Sequence, residues 1–397
     1  MSECDGSRAV GLHRDWPLAF GFFLLVMRTC LRYTVIAGYV PEIVSDTILL
    51  LGVLLLLYGS WKKGSPREVR HLAFDLVALC VGIVSYVLSG ETIPLTNIVL
   101  LLAIQRCGEG KMLAFIWIGV VSLFLVGGLL ELLMQLMFAP DQLRLVVKEG
   151  GELAAPLLFV HPNACAGYML MLEITALVVA EKRGIPARVV LTGVFSFLIL
   201  VITKSKTSFI LSLAVMLACV LETIGRLSGQ RFKKYSYKTV VLLPIILTVT
   251  TFLIAGPFFQ DGMEMVLTNR VGLWRGGYLE NGITLFGSQF VNGVIQYEGG
   301  TMHVETLDSA YAEYLFTYGL AGLGVTYLIW LLELKDSGLS GCPFVCVLLA
   351  VTLLYGATET HGLNLLFAFP LIIPCMYQSC FQGRQDKRCK YDGDDGV

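Results

Sequence analysis

Eleven apolar stretches, each close to the roughly 20 residues that an α-helix needs to cross a hydrocarbon core, recur along this chain. They cover 17–38, 43–60, 73–89, 112–138, 159–180, 186–203, 207–225, 239–257, 307–333, 342–357 and 362–380, and a shorter one at 93–105 makes twelve. Composition agrees: 56% of residues are hydrophobic and 15% charged, where a soluble domain carries about 45–50% and about 25%. The mean hydropathy of +0.73 leaves lipid as the natural solvent for such a chain. The first stretch holds Arg28 and Arg32 and lacks a clear small-residue cleavage site, so it reads as a span rather than a leader.

Orientation follows from lysine and arginine, which concentrate in cytoplasmic loops. With twelve spans and both termini inside, 21 of the 29 basic residues face the cytoplasm. They cluster at Lys62, Lys63, Arg67 and Arg70; at Lys182, Arg183 and Arg188; at Arg226, Arg231, Lys233, Lys234 and Lys238; and in the tail. Flipping the chain, or dropping the 93–105 span, misplaces several clusters. The sequence therefore predicts one polytopic membrane domain over 1–397. Residues 1–16 form its cytoplasmic N-terminus, 256–306 a large extracytoplasmic loop, and 381–397 a cytoplasmic tail.

Soluble-enzyme signatures are absent: no phosphate-binding glycine loop, no paired-histidine zinc motif and no CxxC pair. Most cysteines lie inside apolar runs and behave as small hydrophobes. Attention falls on polar residues at the outer helix ends. Arg28 and Arg32, four apart, share one face of the first span. A charge at that depth costs at least about 2.5–3.5 kcal/mol, so the pair either contacts an anion in a cavity or pairs with an acid such as Asp46, Glu131 or Glu173. His161-Pro162-Asn163 opens the fifth long span, where Pro162 suits a first helical turn. Lys204 and Lys206 crowd a tight outer turn, with snorkelling to headgroups as their plain alternative. Arg144, Lys148, Arg270 and Arg275 complete the six outside cations. Arg270 and Arg275 flank Trp274, a pattern suited to diphosphate and sugar rings.

Four stretches carry a family resemblance: HPNACAGYMLMLEI, TKSKTSFILSLAV, NRVGLWRGGYL and LDSAYAEYLFTYGLAGL. In order and spacing around one large outer loop they resemble the O-antigen polymerase and ligase superfamily, the Wzy-type lipid-linked polysaccharide polymerases. The resemblance covers about residues 155–335; the first 150 residues match in hydropathy only. Lys206 stands where the family commonly has arginine, and Ser309 where asparagine is common.

The resemblance implies an all-α polytopic membrane protein of about 12 transmembrane helices, a GT-C-like helical bundle in a bacterial inner or plasma membrane, with its active site extracytoplasmic. It implies a metal-independent glycosyltransferase without cofactor, passing a growing glycan from polyprenyl diphosphate to an incoming lipid-linked repeat unit. Its partners would be that lipid-linked oligosaccharide, membrane lipid, and a flippase and chain-length regulator of the same pathway, with no nucleic acid. Arg270, aided by Arg275 and Lys206, would steady the diphosphate leaving group. His303 or Asp308 would take the acceptor's proton. Trp274, Tyr311, Lys204, His161, Asn163, Arg28 and Arg32 would line the substrate. A ligase joining a finished glycan to another acceptor, and a flippase exporting the lipid-linked unit, are the alternatives.

Overall fold

The computed structural model describes residues 16–63, 69–104, 110–148, 151–179, 185–225, 227, 229–259, 270–289, 293–297, 300–304, 307–337, 339 and 342–372. The chain is overwhelmingly helical there. In order come α1 (Trp16–Arg32), α2 (Glu42–Lys63), α3 (Val69–Ser89), α4 (Ile93–Ile104) and α5 (Gly110–Phe138). The hairpin β1 (Val146–Val147) and β2 (Leu153–Ala154) leads to α6 (Pro162–Val179), α7 (Ile185–Leu198), α8 (Lys206–Thr223) and α9 (Gln230–Ala255). Then follow α10 (Arg270–Asn281), the hairpin β3 (Gly293–Tyr297) and β4 (Gly300–Val304), α11 (Ala310–Glu313), α12 (Leu320–Asp336) and α13 (Pro343–Gly356). Six helices among the described residues are long and apolar enough to cross a membrane: α2, α3, α5, α6, α8 and α9. This fits an all-α membrane protein.

The chain divides into two compact units, one built on α1, α2 and α5–α8, the other on α3, most of α4 and α9–α13. In the first, α1 lies along α2 and α5. Glycine permits the α1–α2 approach, since a Cβ on Gly21 would sit 2.7 Å from the Leu56 backbone nitrogen. Helix α6 is central, packed against α5, α7 and α8, and 83% of its length is buried. Such all-round burial explains why its sequence lacks a polar stripe. Helix α7 runs into a π-helical turn, Ile199–Thr203, which ends on Lys204 in the left-handed region.

In the second unit α9 is flanked by α10, α11 and α13, and α3 packs on α12. The predicted continuous span 307–333 is interrupted. Ser309 caps α11 by accepting from the Ala312 N–H. A π-helical turn, Tyr314–Tyr318, follows, and Gly319 breaks the helix with φ of +94° before α12 begins. The freed backbone groups find partners in the segment after α10. Asn281 Nδ2 donates to Phe316 O, Thr284 N to Leu315 O, Ser288 N to Thr317 O, and Leu320 N to Thr284 O. A buried break survives only when such groups are satisfied.

Three further stretches differ from the expected spans or add detail to the expected loop. The stretch 362–380, expected as a span, is not an α-helix over its described part: it forms 3-10 turns at Thr360–Leu363 and Phe369–Ile372. Asn97 ties this segment down, its Nδ2 donating to Leu363 O at 2.7 Å while Leu365 N donates to its Oδ1 at 2.9 Å. The 93–105 stretch forms the 12-residue α4; that is about 18 Å of helix against a core of about 30 Å. Its apolar side chains from Ile98 to Ile104 are buried in protein instead. The 256–306 segment, expected as a loop, contains α10 and the β3–β4 hairpin.

Candidate functional site

Within the second unit, α10 and the re-entry segment share one apolar core. Val271 and Trp274 from α10 meet Leu307, Ala312, Leu315 and Phe316, with Ala255 from the end of α9. Alternating burial along α10 puts Val271 and Trp274 on the packed face. The packing fixes the helix that carries Arg270 and Arg275 beside the turn that carries Asp308.

Arg270 and Arg275 do not converge. Five residues on an α-helix is about 500° of rotation, so the two side chains leave α10 about 140° apart. Arg270 Nη2 meets Glu359 Oε1 at 3.0 Å, and its Nη1 donates to the Thr358 carbonyl. The pair is largely buried, with side-chain exposures of 20% and 9%. Arg275 turns to the end of α9, donating to the Ala255 and Gly256 carbonyls at 3.2 Å. Its guanidinium also stacks over the Phe259 and Tyr278 rings. That is a C-terminal helix cap in cationic form, favourable against the negative end of the α9 dipole. Trp274 is buried and its indole N–H has no hydrogen-bond partner among the described residues.

Asp308 holds φ of +47°, one of three non-glycine residues in the left-handed region among the described residues. Residues held there cost roughly 1–2 kcal/mol and cluster at functional sites. Tyr311 is fully buried and donates to the Leu353 carbonyl at 3.3 Å. His303 lies in β4 with its backbone opposite Val294. Asn269, Glu305 and Thr306, which the sequence motifs include, lie outside the described residues. An apolar pocket opens among Leu101, Pro244, Tyr314, Leu323, Trp330 and Leu353.

The remaining candidates belong to the first unit. Arg28 donates from Nε to Ser45 O at 3.0 Å and pairs with Asp46 at 3.5 Å, which selects Asp46 among the three acids the sequence offered. Arg32 is exposed at the end of α1. His161 serves the entry of α6: its Nδ1 accepts from the Asn163 N–H at 3.1 Å. Lys148 Nζ donates to Asn163 Oδ1 at 3.0 Å, and Arg144 Nη2 donates to Val160 O at 3.3 Å. Two of the cations expected outside thus gather on the start of α6. Lys204 takes φ of +51° at the left-handed turn, and Lys206, exposed, opens α8. The Ala155 N–H donates to Ile202 O, tying the β2 strand to this turn.

Sequence reasoning missed Glu359 and Thr358. They sit just past the apolar stretch 342–357, and the acid in Ala357-Thr358-Glu359-Thr360 was the available signal. Among the described residues, no group of three or more His, Cys, Asp or Glu is placed to hold a metal ion. No family model, no curated protein and no solved structure matches this chain.

Proposed function

We propose that the chain is a membrane glycosyltransferase, a polysaccharide polymerase that moves a growing glycan from polyprenyl diphosphate to a lipid-linked repeat unit on the outer face of the membrane. One observation carries the reading: a single apolar core holds the Arg270 helix against the strained Asp308 turn. A guanidinium, to which this reading gives the diphosphate, and a carboxylate thus lie on adjoining elements. The acceptor hydroxyl oxygen attacks the anomeric carbon of the donor glycan. The bond from that carbon to the diphosphate oxygen breaks, the polyprenyl diphosphate leaves with the electron pair, and the hydroxyl proton passes to a base. Arg270 offers a fork of donors to the charge that develops on the leaving group. Asp308 or His303 accepts the proton. Trp274, buried in that core, anchors the helix that presents Arg270. The pocket bordered by Tyr314 and Leu353 suits an isoprenoid tail.

In the arrangement described, Glu359 occupies Arg270, so an arriving diphosphate exchanges one anion for another. Deletion of the gene in the source cell, followed by gel analysis of surface glycan, tests the function. Loss of long polymer with single repeats still displayed supports a polymerase, restored by the wild-type chain and not by Arg270→Ala. Repeats trapped inside the cell identify a flippase, and free polymer that reaches no acceptor identifies a ligase.

A further inference from the structure

Glu173 takes no part in the reaction above, yet it is an acid held inside the first unit. It lies eleven residues past Pro162 in α6 and is completely buried. Its Oε2 accepts a 2.6 Å hydrogen bond from Ser212 Oγ on α8, and Ser212 Oγ lies 2.7 Å from Ser196 Oγ on α7. The other oxygen, Oε1, is buried with no hydrogen-bond partner among the described residues. An inert polar knot in a helix interface closes its valences, because each open one is costly. This one leaves a carboxylate oxygen open. An ionisable group inside a spanning helix is rare and marks an ion or proton path.

A second feature leads to it. Ser205, Ser208 and Ser212, spaced by three and four, share one face at the head of α8 and are all buried. Ser205 Oγ donates to Ser208 Oγ at 3.3 Å. From the turn that carries Lys204 and Lys206, this ladder descends about 10 Å to Ser212 at 1.5 Å per residue.

The ligand chemistry follows from the donor set. A metal cation of this class asks for about six oxygens; one carboxyl and two hydroxyls fall short. A proton asks for one acceptor, and a hydroxyl chain can pass it by reversing each donor in turn. The titratable groups on the helices packed against α6 are Lys111 and Glu131 on α5, Arg188 on α7, and Lys206, Cys219 and Glu222 on α8. Arg188 and Glu222 pair with each other at 3.1 Å, and Cys219 interacts electrostatically with Glu173. On α6 itself the neighbours in sequence are Cys165 and Tyr168. Ser212 alone hydrogen-bonds the carboxyl among the described residues.

We propose that Glu173, Ser212 and Ser196 form an intramembrane proton-binding site, reached from the Lys204–Lys206 turn along Ser205 and Ser208, where the carboxyl takes up and releases one proton. The inference is independent of the glycosyl-transfer reading. Dicyclohexylcarbodiimide tests it in the full-length protein reconstituted in lipid vesicles. This apolar reagent accepts the proton of a neutral carboxylic acid and then adds the carboxylate to its central carbon. Mass spectrometry should find Glu173 modified, with labelling that falls as pH is raised and is lost in Glu173→Gln. Ser212→Ala, which removes the one hydroxyl donating to the carboxylate, should speed labelling several-fold at fixed pH. Infrared difference spectra should show a carboxylic C=O band that titrates with pH and shifts in Ser212→Ala. Labelling indifferent to pH marks a fixed structural acid and overturns the proposal. Protection by sodium at constant pH makes the ligand a metal cation and overturns it too. So does the absence of both label and titrating band.

Discussion

Glu359 Oε1 lies 3.0 Å from Arg270 Nη2, so the arginine that opens α10 is neutralised by a carboxylate 89 residues further along the chain. Removing one member of a buried pair strands the other. Arg270→Ala should therefore lower stability by about 3 kcal/mol, read as a fall in the thermal midpoint in detergent. Arg270→Lys should fall between, since a point charge replaces a planar fork.

Glu359→Gln releases Arg270 from competition while keeping the shape of the contact. Inorganic diphosphate should bind this variant about ten- to a hundredfold more tightly than wild type, because a charge-assisted bond of about 1.5–3 kcal/mol no longer opposes it. Equilibrium dialysis with labelled diphosphate measures this. An unchanged affinity would remove Arg270 from the phosphate site.

Asp308 separates strain from chemistry. Asp308→Gly relieves a left-handed conformation and should raise stability by about 1 kcal/mol. If the carboxylate takes the acceptor's proton, the same variant abolishes chain extension, and so does Asp308→Asn, which tolerates the conformation but lacks the base. Elongation that persists in both variants assigns the proton to His303.

At Gly319, a Cβ would lie 2.4 Å from both Gly287 N and the Phe286 carbonyl carbon, at φ of +94°. Gly319→Ala should cost about 3 kcal/mol or more by combining strain with a backbone clash. The expected readout is loss of folded protein, or a much lower thermal midpoint. Wild-type stability would mean the break between the π-helical turn and α12 can form without glycine.

Asn97 is fully buried and bonds Tyr314 OH at 2.9 Å, Leu363 O and Leu365 N. Asn97→Leu keeps the volume and leaves those groups unsatisfied, at a cost of about 4 kcal/mol. Tyr314→Phe on top of it should add little, because the two changes remove one shared bond. Additive losses would show that the two side chains act separately.

Hydropathy made the long helices legible because lipid imposes a length on them, and α2, α3, α5, α6 and α8 lie close to the predicted stretches, while α9 begins nine residues before its own. It failed where apolar residues face protein rather than lipid. The stretch from 362 is as apolar as a span, yet Asn364 accepts from the Leu366 N–H and folds the chain into turns. Tyr318-Gly319-Leu320 looked like helix interior, although glycine there signalled the break. The pairing of Arg28 with Asp46 was among the readable options, because short connections bring neighbouring spans together. Glu359 was harder to read, since a partner 89 residues away leaves no local trace. Ser196 and Ser212 were illegible for a different reason: a serine in a helix means nothing until its opposite number is placed.

The two π-helical turns, Ile199–Thr203 and Tyr314–Tyr318, each crowd one surplus residue into a single coil. A residue is worth about 100° of azimuth on a regular helix. Excising one position from either coil would re-aim whatever comes next by nearly a third of a circle. Lys204 follows the first coil and Gly319 the second, so in each case the irregularity sets the compass bearing of the turn behind it.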